Sequence, residues 1–195
     1  MPTKTANRKS DFFLVEHFRH PDHVSVMEPY PILHYPDPRL RLKTRTVERV
    51  DDEIRQIFDR MLLTMHEAPG IGLAAPQVDI QKALIVIDIS EKKDQPLFLA
   101  NPKITAKSGH KTFEEGCLSV PGIYAEVERA ENITVTALDY DNNPIEITTD
   151  GLLAICIQHE IDHLKGKLFV DYLSRIKQQR IRKKMLKMEK ITQTA

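Results

Sequence analysis

The chain has 195 residues, with 28 basic and 28 acidic side chains and a formal net charge of zero. That length fits one domain, and balanced charge argues against a protein whose whole surface binds polyanions. No apolar run reaches the roughly 20 residues that a membrane-spanning helix needs, so no membrane partner is expected.

The two cysteines, Cys117 and Cys156, are too few for a disulfide framework. With no secretory h-region near the start, they point to a reducing, cytoplasmic setting, where a cysteine can serve as a thiolate. Residues 1–27 mix charges with His17, His20 and His23 and show little periodicity. They are expected to form a flexible N-terminal extension. Asp11, Glu16 and Asp22 argue against an organelle leader, which is acid-poor. Residues 28–195 then form a single globular domain, and Met27 is an alternative start.

Tyr35-Pro36-Asp37-Pro38 is a turn-rich entry. An amphipathic helix is predicted over about 51–67, because Ile54, Ile57, Phe58, Met61, Leu62 and Met65 follow helical spacing, with Asp51 or Asp52 as cap. Gly70-Ile71-Gly72-Leu73-Ala74-Ala75-Pro76-Gln77 can bend tightly and lets another backbone approach. Residues 83–89 read as a buried strand, and 96–101 as a short one ending at Asn101-Pro102. Residues 111–114 lead into Glu115-Gly116-Cys117-Leu118-Ser119, and 124–128 alternate as a half-exposed strand. Residues 133–140 and 145–149 form a hairpin across Asp141-Asn142-Asn143-Pro144. A helix follows, apolar on several faces and therefore buried, with Asp150 as N-cap and Gly166 as its stop. A last helix, about 172–190, carries Leu173, Ile176, Ile181, Met185 and Met188 on one stripe. The order lacks regular βαβ alternation. It predicts an α+β fold, with antiparallel or mixed sheets around a central buried helix and a C-terminal helix.

That buried helix carries Gln158-His159-Glu160-Ile161-Asp162-His163. Histidines four apart share one helix face and can hold one metal ion, while Glu160 stands beside it as a base. The alternative is a core helix that happens to carry two histidines, which would bury charges without partners. A catalytic site needs a third ligand and an open position. Cys117, at a strand edge beside Gly116, is the best candidate, with Cys156, Asp162 and Asp171 as weaker rivals. A thiolate with two imidazoles suits zinc, ferrous iron, cobalt or nickel. Glu115 and Asp162 are candidate outer-shell acceptors for the histidines.

These three stretches, residues 70–77, 115–119 and 158–163, resemble in order and spacing the three motifs of bacterial peptide deformylases, over about 29–190. The long last helix resembles the Gram-negative type. The resemblance implies one divalent ion per chain held by Cys117, His159 and His163, natively Fe2+, with Zn2+, Ni2+ or Co2+ as alternatives. It implies that metal-bound hydroxide attacks the formyl carbon of an N-formylmethionyl peptide and that Glu160 moves the proton. Gln77 and the Leu118 N–H would steady the oxyanion. Gly72, with Ile71 and Gly116, would pair with the extended substrate, and Ile155 and Cys156 would wall the methionine pocket. Formate and a free N-terminal methionine are the products.

Three other classes compete. An ordinary HExxH endopeptidase would take its third ligand downstream of the helix. A structural metal module would close four ligands. A nucleic-acid binder would use the last helix, where Arg175, Lys177, Arg180, Arg182, Lys183, Lys184, Lys187 and Lys190 crowd against Glu189 alone. Within the deformylase reading, that helix is a candidate dock on the ribosome.

Overall fold

A computed structural model describes residues 27–193. Of the extension expected over 1–27, all but Met27 lies outside the described residues. The fold is α+β, as the order of elements predicts. Helix α1 (Asp52–Glu67) leads into β1 (Gly72–Ala74), β2 (Leu84–Ile87), β3 (Leu97–Ser108), β4 (Lys111–Glu115), β5 (Ala125–Arg129), β6 (Asn132–Leu138) and β7 (Pro144–Thr149). Helices α2 (Gly151–Leu164) and α3 (Arg175–Gln193) close the described chain. Five strands pair in the order β1-β2-β3-β6-β7 and two in a separate β4-β5 ribbon, every pair antiparallel.

The sheet lies between two helices, and the alternation along β2 shows how. Leu84 and Val86 join Phe58, Met61 and Met65 of α1 in one apolar cluster. Ile85 and Ile87 point the other way and join Ile157 and Ile161 of α2. Side chains of a strand alternate between faces, so a strand covered on both reads as an unbroken apolar run. A third cluster sets Val120 and Val127 against Phe169, Val170 and Met185 of the C-terminal region.

Helix α1 begins where its sequence predicts: Asp51 accepts a hydrogen bond from the Ile54 N–H at 3.1 Å and caps the first turn. Helix α2 is buried at every position from Ala154 to Leu164. Asp150 is its N-cap residue, but its side chain makes no cap bond.

Two boundaries differ most from the sequence reading. Strand β3 does not stop at Asn101-Pro102 but runs to Ser108. The register against β6 shifts between Ala100 and Lys103, and that irregularity absorbs both the positive φ of Asn101 and the proline. The Asn101 amide then binds the Val47 N–H and carbonyl, pinning the entry segment. Helix α3 starts at Arg175, three residues later than expected, because Phe169–Tyr172 form a separate 3-10 turn. Ser174 Oγ accepts from the Lys177 N–H at 3.4 Å and opens the helix. Of the expected apolar stripe, Leu173, Ile181 and Met185 pack inward, whereas Ile176 and Met188 are exposed.

Candidate active site and metal centre

The buried stretch of α2 carries His159, Glu160 and His163 into the middle of the molecule, and the turn after β4 delivers Cys117 to them. The ligand atoms of Cys117, His159 and His163 all lie within 4.8 Å of one another. Cys117 Sγ is 3.2 Å from His163 Nε2. The two imidazole rings meet edge to face with centroids 5.1 Å apart, as i,i+4 neighbours on one helix do.

The surrounding charges fit a cation here. Burial alone would lower the His159 pKa, yet hydrogen bonds it donates to Cys117 and Glu115, with nearby negative charge, push it well above its ordinary value. His163 behaves oppositely: burial, with the positive charge of His159 beside it, pushes it well below the ordinary value, toward the neutral form that ligates. Three protein donors leave a further coordination position, as a catalytic site requires.

The rival ligands are occupied elsewhere. Burial raises the Cys156 thiol well above its ordinary value, and its Sγ faces the Ile71 carbonyl at 3.7 Å. Asp162 accepts from Arg129, and Asp171 pairs with Arg41 at 2.5 Å. The expected outer-shell acceptors divide. Glu115 Oε2 accepts from His159 Nδ1 at 2.8 Å. Asp162 contacts neither histidine through a hydrogen bond, and His163 Nδ1 has no protein partner among the described residues.

Glu160 is 4% exposed, and its Oε2 has no hydrogen-bond partner among the described residues. Burial pushes its pKa up to about 7. A carboxyl poised there can both take and return a proton near neutral pH. Gln77 is 1% exposed and locked in orientation. Its Oε1 accepts from the Ala74 N–H at 2.8 Å, and its Nε2 reaches Ser119 Oγ at 3.1 Å and Cys117 Sγ at 3.5 Å. That assignment of the amide leaves a donor facing the thiolate. No protein acceptor among the described residues meets the Leu118 N–H.

A cavity of about 440 Å³ opens onto these groups. Ile71, Gly72, Gly116, Ile155 and Cys156 line it, together with Gln77, Cys117, Leu118, His159 and Glu160. His163 is not among the lining residues. Tyr124 and Leu152 also border it and are 68% and 50% exposed, an apolar rim that sequence reading missed. It missed Arg129 too. The alternation along β5 held the signal: Val127 and Arg129 occupy its buried positions, so an inward-pointing arginine was legible there.

The polypeptide deformylase family profile matches residues 29–179. Peptide deformylase 2 of Xanthomonas campestris pv. campestris is 56% identical over 163 residues, spanning 82% of this chain and 96% of the relative. The peptide deformylase of Hamiltonella defensa is 57% identical over 162 residues, spanning 83% of this chain and 95% of its own. The crystal structure of a peptide deformylase from Legionella pneumophila superposes with a TM-score of 0.82 at 47% identity, covering 86% of this chain and 99% of that one.

Proposed function

The chain belongs to the peptide deformylase family, a hydrolase that removes the N-formyl group, and from that premise we propose how its own residues carry the reaction. The observation that supports the reading best is the convergence of Cys117, His159 and His163 beside Glu160, whose Oε2 has no partner among the described residues, where Cys117, His159 and Glu160 line one cavity. Those three residues would hold a single divalent ion, which when bound would supply Lewis-acid polarisation and lower the pKa of the attacking water from about 16 to about 7.

The chain supplies the rest. Glu160 takes the proton of the attacking water and passes it to the departing amine. Its carboxyl suits both steps because burial sets it near neutrality. Gln77 Nε2 and the Leu118 N–H stabilise the charge that develops on the formyl oxygen. Both are preorganised, Gln77 by its bonds to Ala74 and Ser119. The substrate backbone pairs as an added strand near Ile71, Gly72 and Gly116, where small residues permit close approach. Ile155 and Cys156 wall the pocket for the methionine side chain.

Formate release from formyl-Met-Ala-Ser, using protein purified anaerobically with its metal counted, tests this reading. Turnover with about one ion per chain supports it. No release from metal-loaded protein refutes it. The same count tests the assignment of Fe2+ as the native ion, ahead of Zn2+, Ni2+ and Co2+. A ferrous thiolate site should also lose activity in peroxide.

The substrate class places the enzyme where formylated chains are made, in the cytoplasm. No helix of the described residues is long and apolar enough to cross a membrane. Helix α3 supports a dock on ribosomal RNA: all eight of its lysines and arginines are exposed. Ribosome pelleting should weaken on charge reversal at Arg182, Lys183 and Lys184, and unchanged pelleting counts against the dock. We assign catalysis to residues 28–195 and none to the extension, in keeping with a family match that begins at residue 29. A chain started at Met27 should keep full activity.

A further inference from the structure

A metal ligand is only as well oriented as the groups that hold it from behind. Behind His159 runs a chain of four side chains. Glu115 Oε2 accepts from His159 Nδ1 at 2.8 Å. Arg129 grips Glu115 from Nε at 2.7 Å and from Nη2 at 2.9 Å. Its Nη1 donates to Asp162 Oδ2 at 2.5 Å and to the Tyr172 hydroxyl at 3.0 Å. Tyr172 in turn donates its hydroxyl hydrogen to the same Asp162 oxygen at 2.7 Å.

The first three members are buried, with side chains 4%, 4% and 13% exposed. Tyr172, at the end of the 3-10 turn, is 42% exposed and closes the chain against solvent. Its ring contacts two cations, 4.7 Å from Arg129 and 3.4 Å from Lys167. A separate cavity of about 410 Å³ borders Arg129, Asp162 and Tyr172 from outside. Without the hydroxyl, water from that cavity would meet Asp162 Oδ2 in its place.

We propose that Tyr172 is a positioning residue for the metal centre: its hydroxyl fixes Asp162 and Arg129, and through Glu115 it sets the orientation of His159. One guanidinium divided between two buried carboxylates has alternative arrangements. Arg129 can keep its fork on Glu115 or swing toward Asp162. The tyrosine hydroxyl donates to Asp162 and accepts from Nη1, so it satisfies both groups without loosening the fork. The inference rests on the reading of Cys117, His159 and His163 as metal ligands.

The test uses the full chain loaded with Co2+, in wild-type, Y172F and Y140F forms. Y140F is the control, because it also removes one hydroxyl from a part-buried carboxylate contact, with Asp59 at 3.0 Å, in the cluster around α1. Cobalt release to excess chelator and the thiolate-to-cobalt absorption band are followed. Y172F should release cobalt at least ~10-fold faster, with a shifted band, while Y140F matches wild type. D162N should act in the same direction and is read instead if Y172F does not fold. A wild-type release rate in Y172F overturns the proposal, as does equal acceleration in Y140F. A wild-type chain that takes up no Co2+ overturns the metal-centre reading itself, and this inference with it.

Discussion

Arg129 and Glu115 face each other as a fork on a fork, two parallel hydrogen bonds of 2.7 and 2.9 Å between side chains that are each 4% exposed. Such a pair is weak evidence for stability in itself, but removing one partner strands the other's charge in the interior. Arg129→Leu would strand both Glu115 and Asp162. We expect it to cost about 3–5 kcal/mol, read by urea unfolding.

The same pair has a pH signature. Burial alone would raise the Glu115 pKa, but hydrogen bonds from Arg129 and His159 outweigh it and hold the carboxyl at about 2, below its ordinary 4.5. A depressed acid contributes stability that is fully present above 4.5 and is lost as pH falls through about 2. In Arg129→Leu that hold is gone. The stability gap between wild type and variant should therefore be widest near neutrality and narrow below about pH 4.5. A gap that stays constant down to pH 3 counts against the assignment.

Glu160→Gln keeps the size of the side chain and removes its ability to hold a proton. Because Glu160 Oε2 has no protein partner among the described residues, the fold should tolerate the change. Metal content and thermal unfolding should stay at wild-type levels while formate release falls by at least ~10²-fold, the low end for a general base. Retained turnover would move the base elsewhere.

Much of this was readable before any coordinates. Helix α1 declares itself by spacing and cap, and β2 by an apolar run that only a strand covered on both faces sustains. Cys117 and the two histidines were legible because thiolate, imidazole and an adjacent carboxylate have few other reasons to cluster. The end of β3 was not legible, because Asn101-Pro102 is a stop signal unless a neighbouring strand absorbs the irregularity. Tyr172 was not legible either. Its role depends on a contact with Asp162, ten residues away across a helix end, that no local periodicity encodes. The stripe on α3 misled for a related reason: spacing shows which residues share a face, not how far the partner surface extends. That surface covers Met185 and leaves Ile176 exposed.

Away from the site, Tyr140 donates to both oxygens of Asp59, at 3.0 and 3.1 Å. Burial raises the Asp59 carboxyl above its ordinary value, and the tyrosine bond offsets this only in part. A raised acid makes the folded state less stable when ionised, so its contribution improves as pH falls through the raised value toward 3.8. Asp59→Asn removes the charge and keeps an acceptor for the hydroxyl. It should stabilise the protein at pH 7, read as a higher Tm than wild type. The advantage should vanish in acid, where wild-type Asp59 is protonated. Thermal scans from pH 4 to 8 check the sign, and a variant less stable than wild type at pH 7 would refute it.

Gly72 tests how tightly the cavity floor is built. A Cβ there would come within 2.5 Å of Glu160 Oε1 and 2.6 Å of Cys156 Sγ, contacts that force something to move. Gly72 pairs with Ile87 through β1, the Ile71 carbonyl beside it accepts from the Asp88 N–H, and both helix side chains are buried. The strand is therefore held, and the groups that yield are the Glu160 carboxylate and the Cys156 thiol. A displacement of about 1 Å at a catalytic group can cost ~10²-fold in rate. Gly72→Ala should accordingly lower kcat by about that factor while Cys117, His159 and His163 still retain a full complement of metal. If instead KM rises with kcat unchanged, the added methyl obstructs the substrate strand and leaves Glu160 in place.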